Sequence, residues 1–518
     1  MNKQTHRVVF NRRRGCLMAV AETARAARKA ASGERARSAL AAVLLAPALA
    51  GAQIAADPSA PSGQRPAVLA TPNGLPLVNI RTPSAAGVSR NTYSQFDVQP
   101  VGAVLNNSRS NVQAQLGGWV QGNPWLAAGA ARVILNEVNS ANPSQLRGYV
   151  EVAGQRAEVI LANPAGIQVN GGGFLNASGV TLTTGVPVVN GGSLDAFRVQ
   201  RGQVLIEGLG LDTSSVDYTR ILARAVQVNA GVWARDLTVV AGANEVRALA
   251  SGADAQPGRL AADTPAPAFA LDVAAIGGMY AGKIYLVGTE AGMGVNWAGT
   301  ANAGESFTLL ADGRIVNTGR IASGGALQVN TSGNLATSGS VYAQGAARVD
   351  AGAAIHNTGV LAAASDLRVM AQDIDNTGVL AAGLGANGTL GGAGDLTVAA
   401  GRSLRSSASI AAAGAATISA PAVDLSAGTL VAQSASVAST AADLALSGAD
   451  VTAAQTLELS TSGVLRTDSA QVQAGRLALE ATGWNNTGGR VTQTGTADLT
   501  VSLPGAILNA GGTIASNG

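Results

Sequence analysis

From about residue 310 onward the chain repeats itself every twenty residues or so, and few folds accommodate such a repeat. Leu457-Glu458-Leu459 with Gly463-Val464-Leu465 is echoed by Leu477-Ala478-Leu479 with Gly483-Trp484, then by Leu499-Thr500-Val501 with Gly505-Ala506-Ile507. Ile418, Val437, Leu457, Leu477 and Leu499 stand 19, 20, 20 and 22 residues apart. Asn-Thr-Gly recurs at Asn317, Asn357, Asn376 and Asn486, with Asn509-Ala510-Gly511 as a variant. A window of about twenty residues holds three short strands and three tight turns, and each strand can pair with its equivalent in the next window. The pattern therefore predicts an all-β chain wound as a parallel β-helix, a β-solenoid, with Leu, Val, Ile and Ala stacked inward. Glycine following Asn or Thr is expected to supply the positive φ of the corners. Residues 310–518 would make roughly ten coils, about 50 Å of rod at about 4.8 Å per coil. The alternative, an antiparallel sandwich, would join strands of non-recurring sequence by hairpin turns.

Composition agrees with thin layers of small side chains. Of 518 residues 66 are glycine, aromatics are 3% and charges 13%, so the core is β-branched and aliphatic rather than an aromatic globule. Upstream of the repeat, Gly148-Tyr149-Val150-Glu151-Val152, Glu158-Val159-Ile160-Leu161, Val180-Thr181-Leu182-Thr183 and Ala225-Val226-Gln227-Val228 read as half-buried strands between Asn, Gly and Pro turns.

The basic charge lies at the front. Residues 1–52 hold ten of the 34 Lys and Arg and two of the 31 Asp and Glu, leaving 24 basic against 29 acidic residues. Beyond Lys29 the only lysine is Lys283, so there is no basic stripe to follow phosphates and nucleic acid is excluded as a partner. Arg35 and Arg37 precede the apolar run Ala39–Ala50, with small residues at Ala48, Ala50 and Ala52. That is a secretory signal for the Sec machinery, cleaved after Ala50 or Ala52, and about 12 apolar residues are too few to span a bilayer. Ahead of it, Met1 to Lys29, with Arg12-Arg13-Arg14, resembles the extended signal-peptide region of very large exported proteins of Gram-negative bacteria. A twin-arginine signal is disfavoured by the long alanine-rich interval after Arg12-Arg13. Cys16 is the only cysteine and lies in this leader, so the mature chain forms no disulfide. Residues 53–75, rich in Pro, Ala, Ser and Gly, read as a linker.

Three Asn-Pro pairs punctuate the next stretch: Asn123-Pro124-Trp125-Leu126, Asn142-Pro143 and Asn163-Pro164-Ala165-Gly166-Ile167. Asparagine bonds the backbone two residues on, proline presets φ, and Gly166 suits the fourth place of a type I turn, so the bland reading is a set of corners. The wording is closer than corners need. The block from Gly117 to Gly185 resembles the secretion domain of two-partner secretion exoproteins, the filamentous haemagglutinin family of adhesins, cytolysins and contact-dependent growth-inhibition proteins. Asn123, Pro124 and Leu126 match the family's NPNL motif, with Trp125 at its third place. Asn163, Pro164, Gly166 and Ile167 match NPNGI, with Ala165 for the second Asn. Many relatives carry C-x-x-C just afterwards, where this chain has Val169 and Gly172. The resemblance runs on through Thr181-Leu182-Thr183-Thr184-Gly185, Ile221-Leu222-Ala223-Arg224 and Val240-Ala241-Gly242-Ala243-Asn244.

The resemblance implies a right-handed β-helix with an N-terminal cap. It also implies recognition by the POTRA domains of an outer-membrane barrel transporter, with the seven matching motif residues needed for secretion either by touching the transporter or by shaping the domain. The expected plan is an extended signal peptide over 1–52, the linker, a secretion domain over 76–300 and haemagglutinin-type repeats over 301–518. The repeat stops uncapped at Ile514–Gly518, so a fragment of a longer product is expected.

Catalysis is not expected. His6 and His356 are the only histidines, so neither a multi-histidine metal site nor a well-supported triad can be assembled, and no cofactor is indicated. Gly383-Leu384-Gly385-Ala386-Asn387-Gly388 satisfies G-x-G-x-x-G in letters only, and Gly391-Gly392-Ala393-Gly394-Asp395 places its acid wrongly for a calcium repeat. The expected function is a secreted or surface-tethered adhesin or haemagglutinin whose receptor the sequence does not name. The alternatives are the stalk of a growth-inhibition toxin or haemolysin and, more remotely, a β-helical polysaccharide lyase.

Overall fold

The computed structural model describes residues 6–11, 16–21, 53–248, 257–391 and 393–518. In the leader, His6–Asn11 and Cys16–Ala21 form an antiparallel pair. The apolar run 39–50 and the cleavage position lie outside the described residues. From residue 53 onward the chain winds as a β-solenoid of about 18 turns.

Each coil contributes one strand to each of three parallel ladders. One ladder runs through Ile315–Asn317, Leu335–Thr337 and Ala354–Asn357, the next through Arg320–Ser323, Ser340–Ala343 and Val360–Ala363, the third through Leu327–Thr331, Ala347–Ala351 and the start of Leu367–Asn376. Side chains alternate in and out. The inward Leu327, Ala347, Leu367 and Leu396 stack, as do Val329, Val349, Val369 and Val398, all buried. Phe307 and Trp297 fill the interior where the repeats begin, ring edge to ring face at 6.1 Å.

The period of twenty is thus real, with one slip. Val437 stands over Leu459, not Leu457, because the coil ending at Thr461 is two residues longer; Leu457 stands over Leu477. The segment satisfying G-x-G-x-x-G belongs to an insertion between Leu367–Asn376 and Leu396–Ser406, closed by an antiparallel bridge from Leu384 to Leu390.

At the corners Gly488 and Gly511 have the expected positive φ, +65° and +67°, but four others carry a correction. Gly319, Gly339, Gly359 and Gly378 are not among the positive-φ residues. A Cβ on Gly339 would lie 2.0 Å from the carbonyl oxygen of Gly319, and one on Gly359 2.0 Å from that of Gly339. Close approach of successive backbones, not backbone handedness, is what demands glycine there. Beside this column the recurrent asparagines turn inward: Asn317 Nδ2 donates to Thr337 Oγ1 (3.0 Å), Asn357 Nδ2 to Asn376 Oδ1 (2.7 Å) and Asn376 Nδ2 to Ser406 Oγ (2.9 Å).

Residues 53–75 are not a tether. Ile54–Ala56 pairs antiparallel with Val88–Phe96, and Ala67–Ala70 with Pro76–Asn79. Ile54, Asp57, Ala60 and Leu75 are buried, and the Asp57 amide donates to Thr92 O at 3.0 Å. This segment caps the first coil, whose edge backbone groups otherwise lack partners.

Two further antiparallel pieces lie outside the helix. Val186–Asn190, Ser193–Val199, Asn244–Arg247 and Gly258–Arg259 form a four-stranded sheet. Its Phe197, Val199 and Val246 cover the outward Leu135, Ile160, Leu222 and Val240 of one ladder. A hairpin of Val112–Ala114 and Gly118–Val120 covers Leu77, Val104 and Ala153 on another.

Candidate secretion site

Asn123 caps a single turn of 3-10 helix, Pro124–Leu126. Its Oδ1 accepts from the Trp125 amide (3.0 Å), and its Nδ2 donates to Ile80 O (2.9 Å) and Asn106 O (3.0 Å). The side chain is buried and fully used, which is where an uncharged amide earns most in a low-dielectric interior. Leu126 is buried in the main core. Pro124 is exposed, and Trp125 is about two-fifths exposed under the Arg81 guanidinium, 3.9 Å from the ring centroid. The backbone of the turn is fixed further by Thr82, whose Oγ1 donates to Trp125 O at 2.8 Å.

Asn163 repeats the device on a different coil. Its Oδ1 accepts from Ala165 N (2.9 Å), and Nδ2 donates to Asn142 O and Ser144 Oγ (both 3.0 Å). The turn is closed by the Gly166 amide donating to Asn163 O at 3.0 Å. Gly166 has φ +123°, and a Cβ there would meet Gln203 O at 3.1 Å. Pro164 is half-buried, and Ile167 is fully buried between Ser144 and Val204 of the neighbouring coils. The third Asn-Pro pair is therefore the partner of the second: Asn142 offers its carbonyl to Asn163. The two principal motifs sit on separate coils, and each ties its own coil to a neighbour.

Sequence reasoning missed the residues that complete these braces. Asn106 Nδ2 donates to Asn79 Oδ1 and Gln121 O (both 2.8 Å), while Asn107 bridges Ala131 O (2.9 Å) and Gln155 O (2.8 Å) and accepts from Ala131 N (2.7 Å). The available signal was Asn-Asn-Ser directly after the apolar strand Ala103-Val104-Leu105. Glu151, also buried, accepts from the Gln115 and Leu116 amides (2.6 and 2.7 Å) and thereby anchors the outer hairpin. Near Pro124, that hairpin and the cap enclose a groove of about 870 Å³ lined by Leu69, Trp119 and Val120.

Further along, Arg224, with its side chain 3% exposed, is held by Glu290 (Nη2 to Oε1, 2.8 Å) and by Thr264, and Glu290 also accepts from Ala243 N at 3.1 Å. The hydrogen bond from Arg224 holds the Glu290 carboxyl below its ordinary range. This locks the sequence blocks around Arg224 and Asn244 to each other. Among the described residues no group of three or more His, Cys, Asp or Glu could hold a metal ion. His356 is half-exposed and pairs with Asp375 at 3.0 Å.

Comparison with known families decides the reading of this arrangement. The TPS secretion domain matches residues 52–317. The chain belongs to the two-partner secretion exoproteins. The extended signal peptide of the type V secretion system matches residues 1–51, and the haemagglutinin repeat matches 268–386 and 376–420. The secretion domain thus includes the segment that composition had suggested was a linker. A two-partner exoprotein with this leader is exported through the inner membrane and secreted across the outer membrane to the cell surface.

The chain is 43% identical over 560 residues to "Toxin CdiA" of Yersinia pestis, covering 100% of this chain and 16% of that protein. It is 41% identical over 495 residues to "tRNA nuclease CdiA-2" of Burkholderia pseudomallei (strain 1026b), covering 92% of this chain and 16% of that protein. A crystal structure of a filamentous hemagglutinin secretion domain is 34% identical, with a TM-score of 0.48, over 58% of this chain and 97% of that one. The chain therefore spans about one sixth of the length of these curated relatives.

Proposed function

We propose that this chain is the transporter-recognised, rod-forming portion of an exoprotein that works by contact at the cell surface. Its partner is a cognate outer-membrane barrel whose POTRA domains receive the unfolded chain from the Sec machinery. The observation that carries this reading is the secretion-domain match over residues 52–317, joined to a fold that grows coil by coil. Each new coil finds its hydrogen-bond partners on the one already formed, so folding outside the membrane can retain emerging chain without ATP. Asn123, Pro124, Leu126, Asn163, Pro164, Gly166 and Ile167 serve this export. The buried geometry of Asn123, Leu126, Asn163 and Ile167 favours a role in shaping the first coils, and the exposed Pro124 and Trp125 supply the accessible face.

In the adhesin reading the rod itself presents the binding surface. A second reading, a stalk that carries a growth-inhibiting toxin at its far end, is favoured by the names of the two curated relatives and by their greater length. In either case residues 53–518 act as a scaffold and not as a catalyst.

The test is export from a Gram-negative host expressing the chain with the barrel transporter encoded beside it. Wild-type chain is expected in the medium or on the surface only when the transporter is present, and the Asn123→Ala, Asn163→Ala double variant is expected to remain inside. Transporter-independent release, or normal secretion of the double variant, would overturn the assignment.

A further inference from the structure

One outward column of the solenoid is unlike the rest of its surface. Across successive coils the cross-strand partners run Tyr149, Gly173, Asp212, Trp233, Tyr280 and Asn302. In a chain with 3% aromatics, three of these six positions are Tyr or Trp. Trp233 and Tyr280 remain 42% and 37% exposed, with rings 13° from parallel and centroids 6.1 Å apart.

Glycine makes room for the rings. Gly231 and Gly278 are partners in register, two residues before Trp233 and Tyr280 on the same strand faces. A Cβ on Gly231 would lie 2.4 Å from the Trp233 ring, and one on Gly278 2.8 Å from the Tyr280 ring. Tyr149 lies over Gly173 in the same way, 2.3 Å from a Cβ placed there. Leu209 and Ile276, at the adjoining corners, are 80% and 81% exposed.

The polar groups of the column are placed with equal regularity. Asp212 accepts from Ser214 N (3.0 Å) and Oγ (2.7 Å) on Oδ1 and from Tyr149 OH (3.0 Å) on Oδ2, so its carboxylate is fixed at the surface. Asn302 stands one coil beyond Tyr280. The column contains no Lys or Arg, and the nearby Arg156 and Arg235 are both engaged by Asp217, at 3.2 and 3.6 Å. The aromatic positions thus offer a polyanion no cation of their own, whereas a neutral chain of hydroxyls meets acceptors at Asp212 on one side of them and an amide at Asn302 on the other.

We propose that this column is a binding site for a neutral glycan lying along the rod axis. The apolar faces of successive sugars would rest against Trp233, Tyr280 and the flanking Leu209 and Ile276, while hydroxyls would bond Asp212 and Asn302. Aromatic rings that are apolar in body and polar at one edge suit this kind of amphipathic contact. The coil spacing of about 4.8 Å is close to the length of one pyranose ring in an extended chain, so one sugar per coil keeps register. The inference goes beyond export, since it concerns what the secreted rod holds.

The test is calorimetric titration of the secreted chain with cellohexaose, chitohexaose and, as polyanion, a heparin oligosaccharide. At least one neutral hexasaccharide is expected to bind. Trp233→Ala and Tyr280→Ala should each weaken that binding by about tenfold or more, Trp233→Phe should retain most of it, and Trp119→Ala should leave it unchanged. Absence of binding to both neutral hexasaccharides overturns the proposal, as does preference for heparin or an equal loss in Trp119→Ala. The circular dichroism of each variant separates loss of contact from loss of fold, and Trp233→Phe keeps the test decisive if Trp233→Ala does not fold. Normal transporter-dependent export of the wild-type chain, combined with failure of that chain to bind either neutral hexasaccharide, would sink this proposal while leaving the export reading intact.

Discussion

Replacing Asn163 with alanine removes three hydrogen bonds at one stroke, and the structure says which groups are abandoned. Ser144 Oγ is buried and loses its donor, Ala165 N on a half-buried residue loses its acceptor, and Asn142 O, on an exposed residue, can turn to water. At about 1 kcal/mol for each of the three bonds, the loss amounts to about 3 kcal/mol. Confined to this corner, it raises the local opening constant by about a hundredfold. Hydrogen exchange followed by mass spectrometry reads it directly. Amides of residues 142–169 are expected to exchange about a hundred times faster, while those of 327–351 keep their wild-type rates, because in a solenoid each coil touches only its neighbours. Pro164→Ala, which costs no side-chain hydrogen bond, should change little. Unchanged exchange in Asn163→Ala together with lost secretion would refute the shaping role and transfer the residue to direct transporter contact. Acceleration spread evenly over the whole rod would refute the locality on which the magnitude rests.

Two further outcomes follow from the same geometry. Gly339→Ala drives a methyl to 2.0 Å from the Gly319 carbonyl oxygen and should prevent closure of that coil, whereas Gly391→Ala meets nothing within 4 Å; thermal unfolding of the two variants should separate them by many degrees, and equal midpoints would refute the close-approach argument. Because Arg224 holds the Glu290 carboxyl below its ordinary range, the stability it lends is present above the unfolded-state value near 4.5 and is lost as pH falls through the lowered native value. Urea midpoints measured from pH 6 down to pH 3 should fall more steeply for the wild type than for Glu290→Gln, and parallel curves would refute the assignment.

What was legible in the sequence is what repeats. The inward Leu and Val recur because every coil solves the same packing problem, so three ladders could be read from spacing alone. The four-stranded outer sheet occurs once and has no period to betray it. Its trace was the apolar pairs Leu135 beside Ile134, Ile160 beside Leu161 and Val240 beside Val239, which signal strands covered on both faces. Residues 53–75 were misread because a cap is made of turns and short strands, and Pro and Ala serve those as readily as they serve a tether. The corner glycines Gly319, Gly339, Gly359 and Gly378 were misread because φ is the usual reason for glycine, and is the reason at Gly488 and Gly511, while the approach of a neighbouring backbone is visible only in three dimensions. At the secretion site the Asn-Pro motifs stood out by their wording. Their braces at Asn106 and Asn107 did not, since a buried asparagine differs from a surface one only in its surroundings.

The inward asparagine corner has a genetic consequence. Asn317, Thr337, Asn357, Asn376 and Ser406 offer one another interchangeable donors and acceptors, so the top of any rung in this stretch suits the underside of any other. Unequal recombination that duplicates or deletes a whole rung rejoins two compatible surfaces, whereas a change of half a rung does not. Rods of this kind can lengthen or shorten across generations by integral steps, without any compensating substitution at the seam.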